Sequence, residues 1–302
     1  MLSRLAAKGG VSWTDVDQPE AEELAGIIRE SDLTPLDAEF VTQNHQRPTV
    51  ILRDRYIIIL IHVPVFDKKT RVTSNAPLYC IATSQQCWTI HYEAINALTK
   101  VFKDYEEIPD KCDEYFGSTG LHTTLHLINK MYDGANQKLI RLNKQIDIAA
   151  DAIFHGNERK MVEEASVLMR DVMDFRRIVR SQRDLFATLP GHALIDEYSR
   201  DQWYRLHAQT RKLWDFLESL YESTSELSTT NYHLLQHKEN ELLRLLTYYS
   251  IISIPIIIFI APISQRLNSG NPAYSIIFFG ILGTLIVSLL VIFLRFRKKK
   301  VL

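Results

Sequence analysis

The sequence predicts an α+β cytosolic domain, a long helical stalk and two C-terminal transmembrane helices, in an oligomeric membrane protein. Residues 245–294 carry a single formal charge, Arg266, and the last eight residues hold five cations and no anion. Residues 1–244 hold all 36 acidic residues against 29 basic ones, although the whole chain has a net charge of -1. Residues 192–254, which lead into the uncharged region, contain neither glycine nor proline. Together these observations decide the fold class.

Charge and cysteine content exclude several classes of protein. A near-neutral chain lacks the strongly basic surface of a nucleic-acid binder, so no nucleic-acid partner is expected. The three cysteines, Cys80, Cys87 and Cys112, are odd in number and show no metal-ligand spacing, which favours a reducing compartment. The N-terminus becomes polar too early for a signal peptide, so we expect the N-terminal domain to stay in the cytoplasm.

Two uncharged segments have the length of membrane spans. Leu245–Ile263 contains nineteen residues and Ala273–Leu294 contains twenty-two, and a bilayer core requires roughly 20 helical residues. Residues 264–272 have a turn composition and are predicted to form an extracytoplasmic loop. The basic tail, residues 295–302, should stay inside, so both termini are expected in the cytoplasm of a bacterial inner or plasma membrane. Two spans cannot enclose an aqueous path, so transport requires a homo-oligomer within the lipid bilayer.

Residues 1–116 have the pattern of a small α/β domain. Residues 13–47 are predicted to form amphipathic helical segments, one of which starts near Asp17 with Pro19 near its first turn. Four later runs are predicted strands because they are short and rich in β-branched or aromatic residues: Thr49–Leu52, Tyr56–Phe66, Leu78–Thr83 and Cys87–Tyr92.

From Thr119 onward, the spacing of apolar residues is helical. Residues 117–191 are predicted to form a helical hairpin, which is interrupted at Gly156 and ends near Pro190. Residues 192–244 are predicted to form a stalk helix that continues directly into the first span. The seam of the stalk is a leucine repeat of seven residues: Leu206, Leu213, Leu220, Leu227 and Leu234.

This arrangement and several motifs resemble the CorA-type magnesium and divalent-cation transporter family over nearly the whole chain. The motifs are Arg47–Val50, Tyr56–Leu60, Pro64–Asp67, Trp88–Tyr92, Tyr198–Asp201, Trp214–Leu220, Asn240–Glu241, Leu246–Thr247, Ile254–Pro255 and Phe259–Ala261. The resemblance implies a homopentameric channel or transporter that lets Mg²⁺ or another divalent cation move passively across the membrane.

The chain departs from the family at the end of the first span. The family has a Gly-Met-Asn motif there, followed by an acidic loop, whereas the corresponding positions lie near Gln265, Arg266 and Leu267. A looser alignment places Asn271 at the asparagine position. Residues 264–274 contain no Asp or Glu, and a ring of arginines at a pore mouth would repel cations. Arg266 is therefore interpreted either as a selectivity element or as an interfacial anchor.

The resemblance also implies which face of the first helix lines a pore. Asn240 corresponds to the pore-facing asparagine of the family. Steps of three or four residues from it give the predicted stripe: Leu243, Leu246, Thr247, Ser250, Ile254 and Ile257. Amide and hydroxyl oxygens suit hydrated hard cations, and rings of leucine or isoleucine suit a gate that closes by dewetting. The alternative is that the apolar members pack against neighbours or face lipid.

Two histidines share a helix face with Asn240. His233, His237 and Asn240 are spaced at i, i+4 and i+7, and a ring of imidazoles in an oligomer would bind zinc-like ions or respond to pH. The competing interpretation is a solvated stalk face. A second pair, His122 and His126, has no third ligand nearby in sequence and is better explained as core or surface histidines.

The sequence contains no phosphate-cradling loop, no nucleophile elbow and no metal-binding histidine pair around a glutamate. We therefore expect neither enzymatic activity nor a covalently bound cofactor, and Mg²⁺ or another divalent cation is the expected transported or regulatory ion. Two other functions stay open because the Gly-Met-Asn motif is missing and the loop is cationic. One is a channel that is not selective for magnesium and is gated by tension or osmotic stress; the other is a membrane-anchored sensor or scaffold.

Overall fold

The structure is a computed structural model. It describes residues 2–6, 10–43, 47–67, 71–107, 117–189 and 191–266, together with 273, 276–277, 279–284, 286–288 and 291. The chain divides into two compact units, Met1–Ser228 and Thr229–Leu302.

A six-stranded mixed sheet is the centre of the first unit. Its strands are β1 (Leu2–Ala6), β2 (Ser12–Asp17), β3 (Thr49–Arg53), β4 (Tyr56–Asp67), β5 (Val72–Ala82) and β6 (Gln86–His91). The spatial order is β1-β2-β6-β5-β4-β3. Strands β2 and β6 are parallel, and the other neighbours are antiparallel. The four predicted strands are confirmed, although β5 begins at Val72 rather than at Leu78.

The prediction of helix for the start of residues 13–47 is wrong, because residues 13–17 belong to strand β2. This strand pairs on both edges: Trp13 lies opposite Leu5 of β1 and opposite Cys87 of β6. Its side chains are buried on both faces, and the indole nitrogen of Trp13 donates to the Thr89 hydroxyl at 2.8 Å. Burial on both faces removes the apolar–polar alternation by which a strand is usually recognised.

Helices α1 (Ala21–Glu30) and α2 (Pro35–Thr42) confirm the rest of that prediction. Helix α1 begins at Ala21 because Glu20 and Glu23 form a reciprocal capping box there. Pro19 lies directly before the cap, near the first turn as predicted. Both helices cover one face of the sheet and form its first core. This core contains Val16, Leu24, Ile27, Leu33, Val41, Tyr56, Ile58, Leu60, Tyr79, Ile81, Trp88 and Ile90.

Three further helices belong to the first unit: α3 (Asn96–Glu107), α4 (Gly120–Phe154) and α5 (Glu158–Arg180). Helices α4 and α5 contact each other and strands β4 and β5. Gly156 turns the chain between them with a φ of 91°. Its amide donates to the Ile153 carbonyl at 3.2 Å, and the Asn157 amide donates to the Ala152 carbonyl at 3.1 Å. This pair of bonds ends α4 in the way a glycine C-cap favours, as the sequence break predicts.

Helix α5 ends ten residues before the predicted position near Pro190. Beyond Arg180, the side chain of Gln182 turns inward and bonds the backbone of β4 at His62. The His62 amide donates to the Gln182 side-chain oxygen at 3.0 Å, and the Gln182 amide group donates to the His62 carbonyl at 2.8 Å. This paired contact satisfies two backbone groups of the strand, and the chain leaves the helix to make it.

Helix α6 (Glu197–Arg266) is the longest element, with 70 residues. It begins five residues after the predicted start at His192, because Asp196 acts as its cap and accepts from the Ser199 amide at 2.8 Å. Leu206, Leu213, Leu220 and Leu227 of the predicted seam are buried within the first unit. Leu234 belongs to the second unit and is half-buried.

Within the described residues, no helix combines the length and the apolar character needed to cross a membrane. Residues 267–272 of the predicted loop 264–272, much of the predicted second span and the whole basic tail lie outside the described residues. Cys112 also lies outside them. Cys80 and Cys87 are buried and form no disulfide.

Candidate ion path on helix α6

The predicted stripe lies on the part of α6 that belongs to the second unit. Its members from Asn240 to Ile257 are all exposed in the single chain. Leu243 and Ile257 are each 60% exposed. Exposure does not single out this stripe, because Tyr248, Ile251 and Ile258, which are not among its predicted members, are exposed as well. Exposure therefore does not identify the pore-facing residues, and their assignment depends on the chemistry of their side chains.

The hydroxyl groups of the stripe are bonded to their own helix. The Thr247 hydroxyl donates to the Leu243 carbonyl at 2.8 Å, and the Ser250 hydroxyl donates to the Leu246 carbonyl at 3.0 Å. The Ser253 hydroxyl donates in the same way to the Tyr249 carbonyl. A hydroxyl whose proton is held by the backbone presents its oxygen lone pairs outward as acceptors. Acceptor oxygens are the groups that hard cations prefer.

A groove along this part of α6 is lined by Asn240, Leu243, Arg244, Thr247 and Tyr248. The residues follow the spacing i, i+3, i+4, i+7 and i+8 and therefore share one helix face. The sequence reasoning did not select Arg244 or Tyr248. Arg244 and Tyr248 lie four and eight residues after Asn240. A pattern that allowed steps of three and of four residues at every turn would have included them. Arg244 adds an exposed positive charge beside the predicted stripe.

The histidines near this groove are exposed. His233 and His237 both lie on the solvent side of the single chain, and the ring of His233 lies 5.9 Å from that of Tyr232. In the described residues, no group of three or more His, Cys, Asp or Glu side chains is arranged to hold a metal ion. A ring of His233 and His237 side chains contributed by several chains therefore stays a prediction.

The predicted pore mouth is only partly described. The backbone of Gln265 and Arg266 forms the last residues of α6, so the helix continues past the predicted end of the span at Ile263. Asn271 lies outside the described residues. The helix also continues through the positions of Pro255 and Pro262.

The other histidine pair has structural partners in the first unit. His122 on α4 contacts the carboxylate of Asp196 through Nε2 at 2.8 and 2.9 Å, which ties α4 to the cap of α6. His126 contacts the Tyr105 hydroxyl through Nε2 at 2.9 Å. Burial, with Lys130 nearby, lowers the pKa of His126 to about 4. These contacts agree with the interpretation of both residues as core or surface histidines rather than as a metal site.

Known proteins are similar to this chain over most of its length. A family model described as CorA-like Mg²⁺ transporter protein matches residues 8–298. The cobalt/magnesium transport protein CorA of Methanocaldococcus jannaschii is 21% identical over 238 residues, which are 78% of this chain and 73% of that protein. The protein of the same name from Thermotoga maritima is 23% identical over 257 residues, which are 82% of this chain and 68% of that protein.

Solved structures give the same picture of the fold. The complete structure of the CorA magnesium transporter from Methanocaldococcus jannaschii matches with a TM-score of 0.71 at 18% identity, and covers 97% of this chain and 92% of that chain. The full-length CmaX protein matches with a TM-score of 0.68 at 16% identity, and covers 82% of this chain and 76% of that chain. At these identities the likeness establishes the fold alone.

Proposed function

The chain belongs to the CorA-like Mg²⁺ transporter family, and from this premise we propose that it forms a homo-oligomeric channel in which divalent cations move passively along α6. Family membership confirms the resemblance found in the sequence. It also confirms that the chain is not an enzyme, because the family consists of ion transporters. In this proposal, Mg²⁺ or another divalent cation is the transported cargo and not a bound cofactor.

One observation carries the proposal: polar and apolar exposed groups alternate along one face of an unbroken helix. Asn240 supplies an amide, and Thr247 and Ser250 supply hydroxyl oxygens whose protons are held by the backbone. Leu243 and Ile254 lie on the same face and are exposed. In a ring of several copies, the oxygens would replace part of a cation's hydration shell. The leucine and isoleucine rings would close the path by dewetting.

A single copy of α6 cannot enclose a path, so the proposal requires an oligomer. Family resemblance points to a pentamer. Exposed apolar residues on several faces of α6 between Leu243 and Ile258 support this, because such surface is normally covered by another protein or by lipid. We therefore assign one face to the path and the others to neighbouring helices and the bilayer.

The proposed topology follows the predicted segments. Residues 245–263 and 273–294 are the two spans, residues 264–272 form the loop outside, and residues 295–302 form a basic tail inside. Residues 1–116, the hairpin of residues 117–191 and the stalk of residues 192–244 are then cytoplasmic. The five cations of the tail support this orientation.

A second candidate function rests on a specific observation about charge. The region where the family carries Gly-Met-Asn here contains Arg266, residues 264–274 contain no carboxylate, and Arg244 lines the groove near Asn240. Cationic rings oppose cation entry. The alternative is therefore a member that is not selective for magnesium, either a channel opened by tension or osmotic stress or a membrane-anchored sensor or scaffold.

Ion flux into liposomes separates these functions. The full chain is reconstituted and the entry of Mg²⁺, Zn²⁺, Na⁺ and Cl⁻ is compared with that into empty vesicles. We expect divalent flux that follows the imposed gradient without any other energy source. Flux that appears only under osmotic shock supports the tension-gated alternative. Absence of flux from confirmed oligomers under both conditions leaves the sensor or scaffold.

A further inference from the structure

Two opposite charges lie on either side of the predicted stripe, in the part of α6 that belongs to the second unit. Glu239 directly precedes Asn240, and Arg244 follows Asn240 by four residues. At about 100° per residue, Glu239 lies about 100° to one side of Asn240 and Arg244 about 40° to the other. Both side chains are exposed, and neither forms an ion pair with another residue in the described part of the chain. Both charges are therefore available for a contact with another molecule.

The stripe between these two charges has the spacing of a coiled-coil seam. Apart from Leu246, its members recur every seven residues in two series that are three positions apart: Asn240, Thr247 and Ile254, and Leu243, Ser250 and Ile257. These series correspond to positions a and d of a heptad. Glu239 then occupies position g and Arg244 position e, which are the positions that form ion pairs between neighbouring helices.

The side of α6 away from the stripe is covered by the chain itself. Ser253 is buried, and Leu245 and Tyr249 are half-buried. The residues between positions 240 and 258 that are exposed all lie within about 120° of Asn240 around the helix. A second copy of the chain can therefore reach the stripe and the two charges beside it, whereas the opposite side of this segment is already covered.

The two sides of the stripe complement each other between parallel copies. Glu239 and Arg244 are five residues apart, an axial offset of about 7.5 Å, which two long side chains span between helices about 8–10 Å apart. Leu246 and Ile251, seven residues further on, have the same offset, and both are exposed and apolar. One register thus pairs opposite charges before the uncharged region that begins at Leu245 and apolar side chains within it.

We propose that Glu239 of one copy forms an ion pair with Arg244 of the next copy around a parallel ring of α6 helices. The inference rests on the proposed homo-oligomeric channel and adds the register of the contact between copies. Leu246 then packs against Ile251 of the next copy, which is the packing alternative for this member of the stripe. The pair also neutralises the positive charge that Arg244 places beside the predicted path. Its main effect is on the choice and orientation of the partner helix.

Cross-linking of the full chain tests the contact. Glu239→Cys and Arg244→Cys are combined and treated with a short bifunctional thiol reagent, because an axial offset of this size exceeds the reach of a disulfide. We expect a ladder of covalent oligomers that ends at the complete ring. Lys238→Cys combined with Arg244→Cys is the matched control and should give no ladder, since position 238 lies about 160° from Asn240. The chain without these substitutions gives the background from the native cysteines. A ladder that stops at the dimer, or equal ladders from both pairs, would overturn the proposal.

Charge reversal provides a second test. Glu239→Arg or Arg244→Glu alone places like charges opposite each other at every contact. Each should lower the yield of intact oligomer in native mass spectrometry about fivefold or more at low salt, and the double variant should recover it. Single reversals without effect, or a double variant without recovery, would reject the ion pair. Ion flux through the cross-linked samples separates this inference from the proposed function. A ladder without flux of any ion supports the contact and counts against the channel, whereas flux without a ladder rejects the contact alone.

Discussion

The two units of this chain treat their apolar side chains in opposite ways. In the first unit, Ile57–Ile61 of strand β4 are fully buried by elements of the same chain. In the second, Leu243, Ile251 and Ile258 of α6 are exposed. A soluble monomer rarely leaves so much apolar surface uncovered on one helix. The first unit therefore completes its own core, whereas the exposed apolar surface of the second agrees with the proposal that other copies of the chain and lipid cover it.

The predictions below test both sides of this contrast. If the first unit is self-contained, changes in its core should alter stability without any partner. If the second unit depends on an assembly, changes on α6 should alter ion flux and leave the stability of the first unit unchanged.

The largest expected effect is at Gly120, at the start of α4. A Cβ atom at this position would lie 2.0 Å from the Gln86 carbonyl oxygen and 2.7 Å from the Thr83 carbonyl oxygen. Both obstacles are backbone atoms, which cannot rotate away, so Gly120→Ala should lower the free energy of unfolding by about 3 kcal/mol or more. Denaturant unfolding of the full chain measures this loss.

Gly134 on the same helix is the matched control. A Cβ atom there would meet nothing within 4 Å, so Gly134→Ala should stabilise the protein by about 0.5–1 kcal/mol through helix propensity. Equal effects of the two substitutions would show that α4 does not sit against the β5–β6 turn as described.

The next effect concerns the buried carboxylate of Asp37. It receives two bonds from Arg53, at 2.7 and 2.9 Å, and one from the Tyr56 hydroxyl at 2.7 Å. Asp37→Ala should cost about 2–3 kcal/mol, because the buried Tyr56 hydroxyl loses its acceptor. Arg55→Ala is the control: its pair with Asp32 is exposed on both sides and should contribute less than about 1 kcal/mol.

The same carboxylate predicts an acid limit. Burial opposes the charged form of Asp37, but the hydrogen bond from Arg53 and the other donors outweigh it, so its pKa lies below 3.8. A lowered pKa means that the stabilisation is complete above 3.8 and is lost as pH falls through the folded-state value. Asp37→Ala should therefore flatten the loss of unfolding free energy below about pH 4.

The buried His91 and the half-buried His126 should respond to pH in opposite directions. Burial lowers the pKa of His91, but Asp15, the Glu93 carbonyl and Asp17 raise it by more, so the pKa lies above 6.5. Its stabilisation is complete below 6.5 and is lost as pH rises through the folded-state pKa. At His126, burial and the nearby charge of Lys130 lower the pKa to about 4, so the folded state loses stability as pH falls from 6.5 towards 4.

Glutamine variants separate the two responses. His126→Gln should remove a loss of about 2 kcal/mol that the unmodified chain suffers between pH 6.5 and pH 4. His91→Gln should instead remove the decline above pH 6.5. Unfolding free energies measured across pH 4–9 test both, and parallel curves for the two variants would contradict the described surroundings of these side chains.

How much the sequence could predict also differs between the regions. The strand at Tyr56–Phe66, the break at Gly156 and the buried seam at Leu206–Leu227 follow from local composition and spacing, and the structure confirms them. The strand at Ser12–Asp17 escaped prediction because its parallel pairing with β6 joins residues about seventy positions apart. The inward turn of Gln182 depends on a contact 120 residues away. Local patterns contain no information about either contact.

On α6 the limits are of another kind. Helical spacing finds the face of α6 that contains Asn240. Neither this spacing nor exposure in the single chain tells whether a given face lines the ion path, packs against a neighbouring helix or contacts lipid. Arg244 was missed because the stripe was extended from Asn240 by a single chosen series of steps. The chemistry of a pore mouth depends on side chains of several copies, which one sequence does not place.

On the α6 side of the comparison, Asn240→Leu should reduce divalent-cation flux about tenfold or more, a barrier increase of about 1.4 kcal/mol. The cause is the loss of the amide ring at the entrance of the stripe. The unfolding of the first unit should be unchanged. Lys238→Leu, about 160° around the helix, is the control and should leave flux within a factor of two or so. Similar losses from both variants would contradict the assignment of the face.

The central claim is that the face containing Thr247 lines the ion path, and cysteine accessibility tests it most directly. Thr247→Cys and Tyr249→Cys, on opposite faces of α6, are reconstituted and treated with a charged thiol reagent. The chain without these substitutions is treated in the same way and gives the effect of the reagent on the native cysteines, two of which are buried. We predict that modification blocks flux through the Thr247 variant and spares the Tyr249 variant. Block of the Tyr249 variant alone, or of neither variant despite measurable flux, would contradict the account.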